Sequence, residues 1–178
     1  MASRPCITIV GTGLIGTSIG MAIQQARGPE ILVLGHDKDF AQARLAQRMG
    51  GVHKVERNLR TACAQADMIV IAIPAGEVRE TLSVIAHDLK SGCVITDTTS
   101  VKAPVIAWAD EYLSDEVSFV GGDPILLYSI HKSDSFYCFC QAFRVMQSYP
   151  SFFSTLTKLK RHCGDRRGTK TSPDFCGS

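Results

Sequence analysis

Residues 7–23, ITIVGTGLIGTSIGMAI, constrain the fold more than any other stretch of the chain. Four β-prone residues run straight into Gly11, Gly13 and Gly16, and an apolar run that reads as helix follows at once. A strand that turns on glycine into a helix opens a βαβ unit whose backbone can approach a ligand closely. Gly11 permits the tight turn, Gly13 lets the backbone reach a pyrophosphate, and Gly16 lets the helix pack near the strand. The amides at the helix start, around Leu14 and Ile15, then face the phosphates and add the positive end of the helix dipole. By itself a G-x-G-x-x-G also occurs as a turn serving only packing, so context decides. Here an acidic residue, Asp37, ends the second apolar run 21 residues after Gly16, the spacing of a dinucleotide-binding unit.

The rest of the first 127 residues extends the pattern. Candidate strands are CITIV (6–10), ILVLGH (31–36), MIVIAI (68–73), CVITD (93–97) and SFVG (118–121). They are nearly continuous apolar runs, as expected of strands buried on both faces of a parallel sheet. Between them, Val78, Leu82, Ile85 and Leu89, and again Val101, Val105, Trp108 and Tyr112, recur at helical spacing. Alternating strands and helices predict an α/β, Rossmann-type doubly wound, mainly parallel sheet over residues 1–127. No further strand–helix unit follows. Residues 128–178 read as a divergent tail, irregular or with two short helices: one stripe of Phe136, Phe139, Phe143 and Met146, then, past Pro150, one of Phe152, Leu156, Leu159 and Cys163. Residues 164–178 are polar and read as disordered.

Composition excludes several function classes. No apolar run approaches the roughly 20 residues of a membrane helix, and MASRPCITIV enters a strand pattern without a secretory h-region, so the expected location is cytoplasmic. Seven cysteines in such a chain argue against a disulfide framework, and Cys6, Cys63 and Cys93 fall in or beside apolar runs as small core residues. Cys138, Cys140, His162 and Cys163 match no usual metal-ligand spacing, so no metal is expected. Residues 1–127 hold 11 Lys and Arg against 14 Asp and Glu, and residues 128–178 hold 8 against 3. The basic segment KLKRHCGDRRGTK has no nucleic-acid reading motif and is expected to be a solvated surface.

Open α/β sheets bind ligands beyond the carboxyl ends of their strands. Asp37 is suited to accept hydrogen bonds from the adenosine ribose hydroxyls and to repel a 2′-phosphate, which favours NAD; the neighbouring His36 and Lys38 could offset that repulsion and keep NADP open. The third run ends with Ile73 and Pro74, the fourth with Ser100 and Lys102, and the fifth with Asp123. Each has a plainer reading: Pro74 in a turn, Ser100 capping the next helix, Asp123 before Pro124 in a turn.

GTGLIGTSIGMAI, GHDKD, ADMIVIAIPAGEVRETL, VITDTTSVK and FVGGDPI, in this order and spacing, resemble the nucleotide-binding domain of the prephenate and arogenate dehydrogenase family over about residues 5–127. The resemblance implies an oxidoreductase of tyrosine biosynthesis, acting by oxidative decarboxylation of prephenate or arogenate. It implies cofactor contacts from Gly11, Gly13, Leu14, Ile15, Gly16, Asp37, Ile73 and Pro74. It also implies a catalytic group of Ser100 beside the nicotinamide and substrate hydroxyl, Lys102 as a supporting charge, and Asp123. In the family's G-G-H-P pattern a histidine helps remove the substrate hydroxyl proton, and that position here is Asp123. The family continues with a further nucleotide-domain segment and an all-helical domain that forms the dimer and supplies cationic substrate ligands. Residues 128–178 resemble neither, and a homo-oligomer is expected only by family resemblance. Two alternatives stand beside this reading: a module that binds NAD without turnover, and an oxidoreductase of the related hydroxyacid dehydrogenase kind.

Overall fold

A computed structural model of the chain describes residues 4–122. Expectations for Asp123, for the cysteine–histidine group 138–163 and for the segment 128–178 lie outside the described residues. In chain order the elements are β1 (Cys6–Val10), α1 (Leu14–Arg27), β2 (Leu32–His36), α2 (Phe40–Arg48), β3 (Lys54–Val55), α3 (Leu59–Ala64), β4 (Met68–Ile71), α4 (Ala75–Ile85), β5 (Val94–Asp97), α5 (Lys102–Tyr112) and β6 (Ser118–Val120), with one 3₁₀ turn at Ala86–Asp88.

All six strands are parallel and lie in the order β3-β2-β1-β4-β5-β6. Ile9 pairs with Gly35 on one side and Val70 on the other. The strand order therefore reverses between β1 and β4, and the crevice opens there.

Both faces of the sheet are covered, which explains the continuous apolar strands. Along β4, Met68 and Val70 join Ile7, Ile9, Ile19, Ile23 and Val33 on one face, whereas Ile69 and Ile71 join Val78, Leu82, Ile85, Ile95 and Val105 on the other. Side chains alternate across a strand, so an apolar residue at every position means two cores. Each buried Ile or Leu contributes about 1.5–3 kcal/mol relative to exposure. The expected doubly wound sheet is present.

Local departures have local causes. β3 is missing from the sequence reading because two residues, Lys and a half-buried Val, carry no periodicity. The third candidate strand stops at Ile71, since Ala72 and Ile73 leave the sheet to line the crevice. Leu89 lies beyond α4, after the 3₁₀ turn, although it still packs on the same core. Among the described residues no helix is long and apolar enough to cross a membrane.

Cys6, Cys63 and Cys93 are buried, as expected. Burial pushes the thiols of Cys63 and Cys93 up to about 12, so the reactive thiolate is scarce near neutral pH. Native alkylation followed by peptide mapping should leave these three unmodified, and unfolding in urea should expose them. Modification of Cys63 in the native chain would contradict this packing.

Candidate functional site

The glycine loop is built from three glycines with different duties. Gly11 has a positive φ of 89°, and a Cβ there would meet the Ala72 carbonyl and lie 2.6 Å from Ile73 Cγ2. Its amide donates to the His36 carbonyl at 2.9 Å, which locks the turn between β1, β2 and β4. Gly16 sits beneath the turn, where a Cβ would run into the Gly11 carbonyl oxygen. Gly13 differs: among the described residues nothing lies within 4 Å of the position its Cβ would take. The first two glycines are packing positions and the third faces open space.

α1 begins on that open space. Its N-cap is Gly13, no side chain caps it, and its first turn holds no acidic residue. The first amides of the helix, starting at Leu14 and Ile15, thus keep their donors and the positive end of the dipole for a ligand. Leu14 is 81% exposed and Ile15 partly so.

Thr12 links the loop to the acidic residue. Its amide and hydroxyl donate to Asp37 Oδ2 at 2.7 and 3.1 Å, and the Asp39 amide donates to Oδ1 at 2.9 Å. The Thr12 carbonyl accepts from Thr17 Oγ1 and Gln42 Nε2, both at 2.8 Å. A carboxylate offers about four acceptor positions, so Asp37 is oriented by three bonds and retains capacity for a ligand hydroxyl.

Gly11, Gly13, Asp37, Ile73 and Pro74 come together as walls of one cleft of about 580 Å³ at the reversal of strand order. Lys38, Glu77 and Thr81 line it as well. The cleft is apolar where Val10, Ala72, Ile73 and Pro74 line it and acidic where Asp37, Glu77 and Glu80 do, as suits a nucleoside flanked by hydroxyls. Lys38 Nζ lies 2.5 Å from Glu77 Oε1, a pair that spans from the end of β2 to the first turn of α4. His36 Nδ1 is 3.1 Å from the Glu56 carbonyl.

A second cluster forms at the carboxyl end of β5. Asp97 is fully buried at its side chain, and Oδ2 accepts from Lys102 Nζ at 2.5 Å, from the Thr99 amide at 3.0 Å and from the Thr99 hydroxyl. Oδ1 accepts from the Gly122 amide at 3.1 Å, which ties the β5–α5 connection to the end of β6. Burial would raise the Asp97 carboxyl pKa, but Lys102, Thr99 and Gly122 outweigh it and hold the group below the usual carboxylate range. Ser100 is exposed in this connection and has no hydrogen-bond partner among the described residues. α5 is capped by Val101 without a side-chain bond, so the hydroxyl of Ser100 is not used as a helix cap. Lys102 is engaged by Asp97, with Thr99 Oγ1 a further 3.3 Å contact.

Thr12, Glu77 and Asp97 went unnamed as site residues in the sequence reading. Asp97 carried a signal, a carboxylate ending the otherwise apolar CVITD. Thr12 and Glu77 carried none, because their partners are 25 and 39 residues away.

The chain matches the family described as prephenate dehydrogenase, nucleotide-binding domain, over residues 19–127. It is 39% identical over 130 residues to a prephenate dehydrogenase of Lactococcus lactis, covering 71% of this chain and 35% of that one. It is 32% identical over 131 residues to a prephenate dehydrogenase of Bacillus subtilis, covering 73% and 34%. Among solved structures it resembles the prephenate dehydrogenase from A. aeolicus in complex with hydroxyphenyl propionate and NAD+, with a TM-score of 0.63, 23% identity, and 74% and 44% of the two chains covered. The chain thus spans about a third of the length of the curated relatives it matches. The acidic end of β2 and the buried Asp97 group lie within the matched residues 19–127, the glycine turn stands on the same parallel sheet just before them, and the chain belongs to the prephenate dehydrogenase family through its nucleotide-binding domain.

Proposed function

We propose that this chain is the dinucleotide-binding part of an oxidoreductase that oxidatively decarboxylates prephenate or arogenate in cytoplasmic tyrosine biosynthesis, with NAD as preferred cofactor. The observation that carries the reading is Asp37, held by Thr12 against the glycine loop at the edge of the cleft, in a chain of this family. The domain occupies residues 1–127, and residues 128–178 form a divergent segment.

A dinucleotide fits the residues present. Gly13 leaves the space that a Cβ would enter, and the uncapped start of α1 supplies donors for phosphate oxygens. Asp37 accepts from ribose hydroxyls, and its charge disfavours a 2′-phosphate. Lys38, the neighbouring cation, is paired with Glu77. NAD, when bound, supplies the acceptor for the hydride that leaves the ring carbon bearing the hydroxyl. Ser100 offers to that substrate hydroxyl a hydroxyl that has no partner among the described residues, and Lys102 with Asp97 holds the connection that carries Ser100. Asp123 takes the position of the family's base: an aspartate is already ionised near neutral pH and can accept a proton, but it brings negative charge toward a dicarboxylate. The A. aeolicus complex with hydroxyphenyl propionate and NAD+ supports the same ligand classes.

A second reading, a module that binds NAD without turnover, draws on Asp123 in place of histidine. Positioning of substrate can supply roughly 7–11 kcal/mol of a barrier. These 178 residues on their own should therefore bind NADH, with NADPH weaker, and reduce NAD with prephenate barely above background. Asp37→Ala should weaken NADH binding about tenfold and narrow the preference, as expected for loss of a charge-assisted hydrogen bond. Fluorescence titration with each dinucleotide tests this. Tighter binding of NADPH by the unmutated chain would sink the cofactor assignment, and ready turnover would remove the second reading.

A further inference from the structure

We infer that Glu77 is a positioning residue for cofactor choice: by pairing with Lys38 across the cleft, it withholds from a 2′-phosphate the cation best placed to receive it. The inference rests on the dinucleotide reading above and adds a residue that the glycine loop and Asp37 do not include.

Lys38 directly follows Asp37 and lines the same cleft, so it stands beside the carboxylate assigned to the ribose. A cation at the end of the second strand is what accommodates a ribose 2′-phosphate in dinucleotide-binding folds. Here the ammonium lies 2.5 Å from Glu77 Oε1, and this pairing raises its pKa, so it stays charged while its charge is spent on a protein carboxylate. Among the described residues the charged side chains on the cleft wall are Asp37, Lys38, Glu77 and Glu80, three carboxylates against one ammonium. A phosphate dianion entering beside Lys38 would have to displace Glu77 and then lie next to it. Glu77 is fixed where it can do this because it occupies the first turn of α4, where a carboxylate is favoured by the helix dipole. Both partners are solvent-accessible, with side chains 77% and 40% exposed, so the pair is weak and the effect on preference modest.

Glu77→Gln frees Lys38 without adding a charge or changing the shape of the residue. In fluorescence titrations of the full 178-residue chain with NADH and NADPH, this variant should shift the affinity ratio about fivefold toward NADPH, on the scale of one exposed ion pair. Adding Lys38→Gln to Glu77→Gln should cancel the shift, and Lys38→Gln should cost NADPH binding more in that background than in the unmutated chain. Damage to the fold would lower both affinities together and leave their ratio unmoved, so the ratio separates the two roles. An unmoved ratio in Glu77→Gln, or a shift that persists without Lys38, overturns the role of Glu77. An unmutated chain that binds neither dinucleotide overturns the reading beneath it as well.

Discussion

Gly13→Val abolishes dinucleotide binding in a chain that keeps its stability, whereas Gly16→Ala, the smaller change, destabilises the fold. The contrast follows from where the two Cβ atoms would go. At Gly13 the φ of −66° suits any residue, and nothing lies within 4 Å of the new atom, so stability should stay within about 0.5 kcal/mol. The valine methyls would instead fill the open space before α1 that a pyrophosphate needs. At Gly16 a Cβ would meet the carbonyl oxygen of Gly11. That carbonyl cannot swing aside, since the Gly11 amide is bonded to His36 and its φ is positive. Overpacking of this kind costs about 3 kcal/mol, enough to lower the melting temperature by about 10 °C. Thermal melts beside NADH titrations check both. A Gly13→Val chain that still enhances NADH fluorescence would place the nucleotide elsewhere.

Lys102→Met should be the most destabilising single change outside the core. It leaves the Asp97 carboxylate buried with hydrogen bonds from Thr99 and Gly122 but without its cation, and breaking a buried pair from one side costs about 3–5 kcal/mol. Because Lys102 is itself partly exposed, the lower end of that range is expected. The loss has a pH signature. In the unmutated chain the Asp97 pKa is depressed, so its stabilisation is present above the unfolded carboxylate pKa of about 3.9 and is lost as pH falls through the lower folded value. Lys102→Met removes the cation among the groups that hold that pKa down, so the carboxyl protonates at higher pH than in the unmutated chain and the penalty is relieved as it does. Both effects narrow the stability gap between the two proteins as pH drops from 7 to about 3, below the unfolded carboxylate value. Urea unfolding at the two pH values measures it, and a gap that widened in acid would show that Lys102 is not the cation holding Asp97. Since Asp97 also fixes the Gly122 amide, the same variant should loosen the connection that carries Ser100.

The outline of this fold was legible because each strand buried on two faces must be apolar at every position. CITIV, MIVIAI and CVITD announce themselves without reference to any neighbour, and a glycine turn between strand and helix needs only local chain geometry to be recognised. Asp37 was legible for the same reason, as a fixed number of residues separates it from the glycine loop. β3 was not, because two residues carry no period. Ser100 was legible as a polar residue after a strand, but its freedom from capping depends on a helix that starts one residue later than the residue types suggest.

What the sequence by itself determined was the strands other than β3, the glycine loop and the acidic end of the second strand, all products of residue type and spacing along the chain. What only the tertiary structure decided was which charges meet. The order β3-β2-β1-β4-β5-β6 brings the loop after β2 opposite α4, so that Lys38 finds Glu77 39 residues on. The pairing of β5 with β6 brings the Gly122 amide to Asp97. Strand order is set by the packing of two opposed cores around a twisted sheet, and hydrophobic periodicity, which reports only that a residue is buried, does not say which strand lies beside it.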